Sequence, residues 1–122
     1  YWVSSVAFLH DSRLLASASY DNTVKVWDTA TGTLQQTLEG HSGAVRSVAF
    51  SHDSKLLASA SDDKTVKVWD AATGTLQQTL KGHSSWGRSV AFSHDSKLLA
   101  SSSADKTVKV WDVATGTLQQ TF

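Results

Sequence analysis

The sequence has 122 residues, with 11 Lys plus Arg balanced by 11 Asp plus Glu, five Trp, and no Cys, Met or Pro. A net charge of zero supplies no positive field for phosphates, so neither nucleic acid nor an anionic membrane is the expected partner. The lack of Cys removes a disulfide framework and a thiolate metal site, and fits a reducing, intracellular (cytoplasmic) setting. No apolar run is long enough for a membrane helix, and Tyr1 to Phe8 lack the charged start and apolar centre of a signal peptide. Because the chain starts at Tyr1 without Met, an excerpt or a processed product is expected.

Self-similarity organises the chain. The pair Trp27-Asp28 returns as Trp69-Asp70 and as Trp111-Asp112, 42 residues apart each time. Between His41–Leu80 and His83–Phe122, 33 of 40 aligned positions are identical. The chain is therefore expected to be one segment of three like units, about 1–40, 41–82 and 83–122.

The middle unit predicts four short strands. Ala44 to Phe50 forms the first, with Val48 and Phe50 on one side and Val45, Ser47 and Ala49 on the other. A Ser51-His52-Asp53-Ser54 turn leads into the second strand, Leu56 to Ser61, which carries small residues on both faces. Asp62-Asp63-Lys64 reverses the chain into Thr65 to Trp69, where β-branched and larger residues alternate. A turn at Asp70 to Gly74, with Gly74 at positive φ, opens the fourth strand, Thr75 to Leu80, with Leu76 and Leu80 expected on one side. Four antiparallel strands that are apolar on both faces need cover on both, and the neighbouring units are the expected cover.

A four-stranded repeat of 42 residues whose third strand ends in Trp-Asp, preceded by Gly40-His41 and Gly82-His83, resembles the WD-repeat β-propeller family. The resemblance covers the whole chain. It implies an all-β fold of three four-stranded antiparallel blades, and a structural hydrogen-bond chain inside each blade. Its members would be His41, Ser59, Asp63 and Trp69 in the middle unit and His83, Ser101, Asp105 and Trp111 in the last. The first unit would have only Ser17, Asp21 and Trp27, its histidine falling upstream of Tyr1. Trp donates only, Ser both donates and accepts, and a neutral His passes the polarity to a carboxylate. A Ser-His-Asp set also suggests a nucleophile, but this set recurs at fixed spacing and is tied to a Trp expected to be buried, so no enzyme is expected.

The remaining histidines, His10, His52 and His94, occupy repeated His-Asp-Ser turns. These turns are expected to point outward at blade-to-blade separations, whereas a metal site needs three or four ligands converging at about 2 Å, so the histidines are read as turn formers and not as metal ligands. Gly32, Gly74 and Gly116 are read as turn formers, and no phosphate loop or dinucleotide fingerprint occurs, so no cofactor is expected.

The three copies differ mainly at Trp2/Ala44/Trp86, Ser4/Arg46/Arg88 and Tyr20/Asp62/Ala104, with Val3/Val45/Gly87 and Asn22/Lys64/Lys106 beside them, whereas Thr-Leu-Gln-Gln-Thr is common to all. The family resemblance places the variable positions on one rim. Trp, Tyr and Arg are the types that dominate interface hot spots, so the rim is read as a surface for a protein or peptide ligand. Packing of Trp2 and Trp86 against adjacent loops is the alternative for those two residues. A self-assembling or amplified repeat without a dedicated partner is the alternative for the whole chain.

Near-identical tandem copies that differ at a few positions are similar in repeat style to the propeller arrays of fungal NACHT-type receptors, including heterokaryon-incompatibility proteins. Three blades leave the ring incomplete, because propellers use about four to eight. Closure is expected from a homodimer, which would make a six-bladed ring, or from further blades of a longer parent chain.

Overall fold

The computed structural model describes residues 2–9 and 11–122, so the Tyr1 and His10 expectations lie outside the described residues. Twelve strands are present among them: β1 (Val3–Phe8), β2 (Leu14–Ser19), β3 (Val24–Asp28), β4 (Leu34–Leu38), β5 (Val45–Phe50), β6 (Leu56–Ser61), β7 (Thr65–Asp70), β8 (Leu76–Lys81), β9 (Gly87–Phe92), β10 (Leu98–Ser103), β11 (Val108–Asp112) and β12 (Leu118–Thr121). They form three antiparallel four-stranded sheets in sequence order, β1 to β4, β5 to β8 and β9 to β12. The sheets do not close into a ring. No helix among the described residues is long and apolar enough to cross a membrane.

The pairing register decides which residues meet. In the middle sheet Leu57 lies opposite Phe50 and Trp69, and Ser59 lies opposite Val48 and Lys67. One face therefore carries the large residues Val48, Phe50, Leu57 and Trp69. The other carries Ala58, Ala60, Val66 and Val68. The large-residue face packs on Ala16, Ala18, Val24, Val26 and Leu38 of the first sheet. The small-residue face receives Val90, Leu99 and Trp111 of the third. Both interfaces set a Trp-bearing face against an Ala/Val face, which fills the space with complementary volumes. The same pattern leaves Val6 and Phe8 at one end of the stack 59% and 62% exposed, and Val108 and Phe122 at the other 40% and 70% exposed.

Two expectations about strand faces are overturned, each by a bulge. The register of β5 on β6 shifts between Val45 and Ser47, leaving Arg46 as the extra residue. This moves Val45 to the same side as Val48, and both are buried against the first sheet. Likewise β8 shifts on β7 so that Gln77 is extra. Leu80 then joins Val66 and Val68 in the core, while Leu76 pairs with Trp69 on the opposite face and is 40% exposed. Period-two counting cannot foresee a register shift.

The Val45/Gly87 difference also has a packing cause. A Cβ on Gly87 would lie 3.1 Å from Ala60 Cβ and 3.2 Å from the Ser61 backbone N and O. β9 approaches β6 too closely for a side chain, and backbone atoms cannot move aside cheaply. Replacing Gly87 with Val, the residue of the middle copy, is expected to lower stability by about 1–3 kcal/mol through overpacking. Urea unfolding would show a lower midpoint with an unchanged slope.

Candidate functional site

The rim lies above a buried polar chain that fixes its loops. In the middle sheet the Trp69 indole N–H donates to Ser59 Oγ at 2.9 Å. Ser59 Oγ lies 2.6 Å from His41 Nε2, and His41 Nδ1 lies 2.9 Å from Asp63 Oδ2. Trp can only donate and a carboxylate can only accept, which sets the direction. Trp69 donates to Ser59, Ser59 donates to His41 Nε2, and His41 Nδ1–H donates to Asp63. The last sheet repeats this with Trp111, Ser101, His83 and Asp105 at 2.9, 2.7 and 2.9 Å.

Asp63 also accepts from Thr65 Oγ1 at 2.6 Å and from the Ser42 backbone N–H at 3.1 Å. Burial alone would raise its carboxyl, but the hydrogen bonds from Thr65 and His41 outweigh this and hold it at about 2. Burial pushes the His41 imidazole down despite the opposing hydrogen bond from Asp63, so the ring stays neutral as the chain of donors requires. In the last sheet, hydrogen bonds from Thr107 and His83 likewise outweigh burial and hold the Asp105 carboxyl well below the usual range.

The first sheet keeps part of the set. Trp27 donates to Ser17 Oγ at 3.0 Å, while Asp21 accepts from Thr23 Oγ1 at 2.6 Å and pairs with Lys25 Nζ at 3.3 Å. Hydrogen bonding from Thr23 holds the Asp21 carboxyl at about 2. The matching lysines of the other sheets, Lys67 and Lys109, turn instead to Thr79 and Thr121 at 3.0 and 3.1 Å.

Sequence reasoning missed two structural devices. A Cβ on Gly40 or Gly82 would lie 3.1 or 3.0 Å from Cη2 of Trp69 or Trp111, so the glycine of each Gly-His pair lets the connection cross the indole. Gln36 Nε2 donates to the Ala72 carbonyl at 3.0 Å, and Gln78 Nε2 to the Val113 carbonyl at 2.6 Å, tying β4 and β8 each to a turn of the next sheet. The invariance of the Gln-Gln pair among the copies was the available signal.

At the rim, Ser4, Arg46 and Arg88 are the extra residues of the β1, β5 and β9 bulges. A bulge re-aims its side chain, and the variable position is the re-aimed one. Ser4 Oγ donates to the Val45 carbonyl of the next sheet. Arg46 forms a two-point ion pair with Asp62, its Nη2 at 3.2 Å from Oδ2. Its guanidinium lies 5.7 Å from the Tyr20 ring centroid and 4.9 Å from that of Trp86, so one cation bridges all three sheets. Trp2 stands 6.0 Å from Tyr20. Trp2 is 77% and Trp86 48% exposed, although both touch rim neighbours. Arg88 is exposed, and Ala44 and Ala104 are half-buried in the same band, where their backbone carbonyl and N–H bond to Asp62 and Trp86. Thus Trp2, Tyr20, Arg46, Asp62 and Trp86 form one connected cluster, with Ser4, Ala44, Arg88 and Ala104 around it.

At the opposite end of the strands the histidine turns depart from expectation. The His52 and His94 ring centroids lie 5.1 Å apart rather than at distant positions. The first strands of successive sheets lie close together, and Ser96 Oγ accepts the Asp53 backbone N–H at 3.2 Å, which holds the two turns side by side.

The description "WD domain, G-beta repeat" matches residues 1–28, 32–70 and 74–112. The chain belongs to the WD-repeat family. The WD-repeat chain is 48% identical over 44 residues to the "Nuclear distribution protein nudF 1" of Talaromyces marneffei, which is 36% of this chain and 10% of that protein. It is 48% identical over 46 residues to the "Ribosome biogenesis protein WDR12 homolog" of Ixodes scapularis, covering 37% of this chain and 10% of that protein. The matched segments thus span about a tenth of these curated relatives. Among solved structures, that titled "Structure of U3-55K" superposes with a TM-score of 0.95 at 28% identity, covering 98% of this chain and 38% of that one.

The buried chain yields a stability prediction. Ser59→Ala strands the Trp69 donor and the His41 acceptor and should cost about 1–3 kcal/mol. Ser17→Ala should cost less, since Ser17 has one such bond and Trp27 is only half-buried. Acid should act in two stages. Unfolded histidine takes up a proton near about 6.5 while folded His41 resists, so stability falls as pH drops below that value. The Asp63 contribution, present above 3.8, is then lost as pH falls through about 2. Urea midpoints measured across pH would check both stages, and His41→Gln should remove the first stage from the middle sheet.

Proposed function

We propose that this WD-repeat chain is a non-enzymatic recognition module that binds a protein or peptide through the rim bearing Trp2, Tyr20, Arg46, Trp86 and Arg88. The observation that carries the reading is the Arg46 guanidinium set between Tyr20 and the exposed indole of Trp86, with the exposed Trp2 indole against Tyr20. Ion pairing with Asp62 and contact with two rings pre-order the Arg46 side chain, which lowers the entropy a ligand must overcome. Trp, Tyr and Arg at the centre of such a patch are the residues from which binding energy is usually drawn.

Two further observations support this reading over catalysis. Ser59 and Ser101 are 0% and 1% exposed, and each hydroxyl is already engaged by an indole and an imidazole. A nucleophile needs access to substrate and an oxyanion site, whereas these hydroxyls have structural partners on both sides. The names of the relatives concern nuclear distribution, ribosome biogenesis and dynein assembly, and they lend weight to a role in protein assembly. A cytoplasmic setting and a place in a ligand-sensing array, as in the fungal receptors of similar repeat style, belong to the same reading.

Self-association is a second reading, favoured by the exposed Val6 and Phe8 on the first sheet and Val108 on the third. A homodimer would set the Trp27 face of one copy on the Val108 face of the other at two junctions, making six blades. Further blades of a longer chain could give the same cover.

Peptides selected from a random library on the immobilised chain test the recognition reading. Trp86→Ala should weaken the selected binders at least about tenfold, which is about 1.4 kcal/mol, while the loss of its contact with Arg46 costs no more than about 1 kcal/mol of stability. Binders indifferent to Trp86→Ala and Trp2→Ala alike would contradict it.

A further inference from the structure

We propose that His52 and His94 form a transition-metal site that clips the second sheet to the third. Their ring centroids are 5.1 Å apart and the ring planes are inclined at 51°. Zinc–imidazole bonds of about 2.0–2.1 Å at a tetrahedral angle place the centroids of two coordinated rings on the order of 5 Å apart. Two imidazoles in different sheets thus already stand at the separation that a shared ion imposes.

The spacing is set by the backbone of the turns. Ser54 and Ser96 adopt positive φ, 66° and 63°, which closes each turn tightly. Ser51 Oγ donates to Asp53 Oδ1 at 2.6 Å and accepts the Leu56 N–H at 2.9 Å. Ser93, Asp95 and Leu98 repeat these bonds at 2.7 and 2.9 Å. Between the turns, the Asp53 N–H donates to Ser96 Oγ. The two turns are therefore internally braced and joined one residue from His52 and two residues from His94. Among the described residues, by contrast, neither imidazole has a hydrogen-bond partner, and both are exposed. Asp53 and Asp95 each brace their own turn through Oδ1, which accepts from Ser51 and the Lys55 N–H in one and from Ser93 and the Lys97 N–H in the other. The two imidazoles are the nitrogen donors of the proposed site.

Imidazole nitrogen suits zinc, nickel and copper ions and does not suit magnesium, which takes oxygen ligands. Among the described residues no third His, Cys, Asp or Glu joins the pair, so two positions of a tetrahedral ion are left for water or for a donor from another molecule. Nothing in this inference rests on the rim or on its proposed ligand, since the site lies at the other end of the strands.

Isothermal titration of the full 122-residue chain with Zn2+ tests it, with Mg2+ as the comparison and circular dichroism to verify the fold of each variant. The expected result is saturable uptake of Zn2+ but not Mg2+, with a raised unfolding temperature. His52→Ala and His94→Ala should each weaken uptake by at least about tenfold, because losing a ligand costs no less than losing an outer-shell partner. The exposed position of both side chains means that neither variant should disturb folding. Absence of Zn2+ uptake by the parent chain, or uptake unchanged in either variant, would overturn the proposal.

Discussion

The burial of a Trp-bearing sheet face beneath the Ala/Val face of the next sheet is the interaction on which the remaining features depend. A four-stranded sheet with Leu57 and Trp69 on one side and Ala58, Val66 and Val68 on the other has no solvent face. A single unit therefore cannot be stable alone. At about 25 cal/mol per Å2 of apolar surface, and with about 150–250 Å2 on an indole, one buried Trp supplies several kcal/mol toward each junction. The Ala residues of the second strands matter for the same reason, since small side chains leave room for the indole between the sheets.

The polar chain is a consequence of that burial. Once Trp69 and Trp111 are enclosed, their N–H groups need internal acceptors, and Ser59 and Ser101 provide them. The serines then need His41 and His83, which in turn need Asp63 and Asp105. The Asp carboxylates also accept backbone N–H groups of Ser42 and Ser84, so the buried indoles indirectly set the loops that lead into β5 and β9. Those loops run into the bulges from which Arg46 and Arg88 project. Rim and core are thus linked by one unbroken set of hydrogen bonds and covalent neighbours, while the rim side chains remain free to differ among copies.

Much of this was legible in the sequence because it repeats. The 42-residue spacing of Trp27, Trp69 and Trp111 marked the units, and the donor inventory of Trp, Ser, His and Asp fits the observed order of hydrogen bonds. What was not legible depends on relations between strands. The bulges at Arg46 and Gln77 change faces through pairing, and pairing is invisible to period-two counting, so Val45 joins the side of Val48 and Leu76 parts from Leu80. The proximity of His52 to His94 arises because the first strands are the ones that converge, a property of the stack rather than of any unit. The Val45/Gly87 difference resembled recognition but reflects the close passage of β9 over Ala60 and Ser61.

The dependence of each sheet on a covering neighbour is the central claim, and the two ends of the stack test it most directly. Native mass spectrometry of the chain across a concentration series would report whether those ends find cover. The account predicts self-association at micromolar concentration when no further blades cover those ends, reduced by Phe8→Asp on the first sheet. A folded monomer that persists at every concentration, with Val6, Phe8 and Val108 open to solvent, would contradict it.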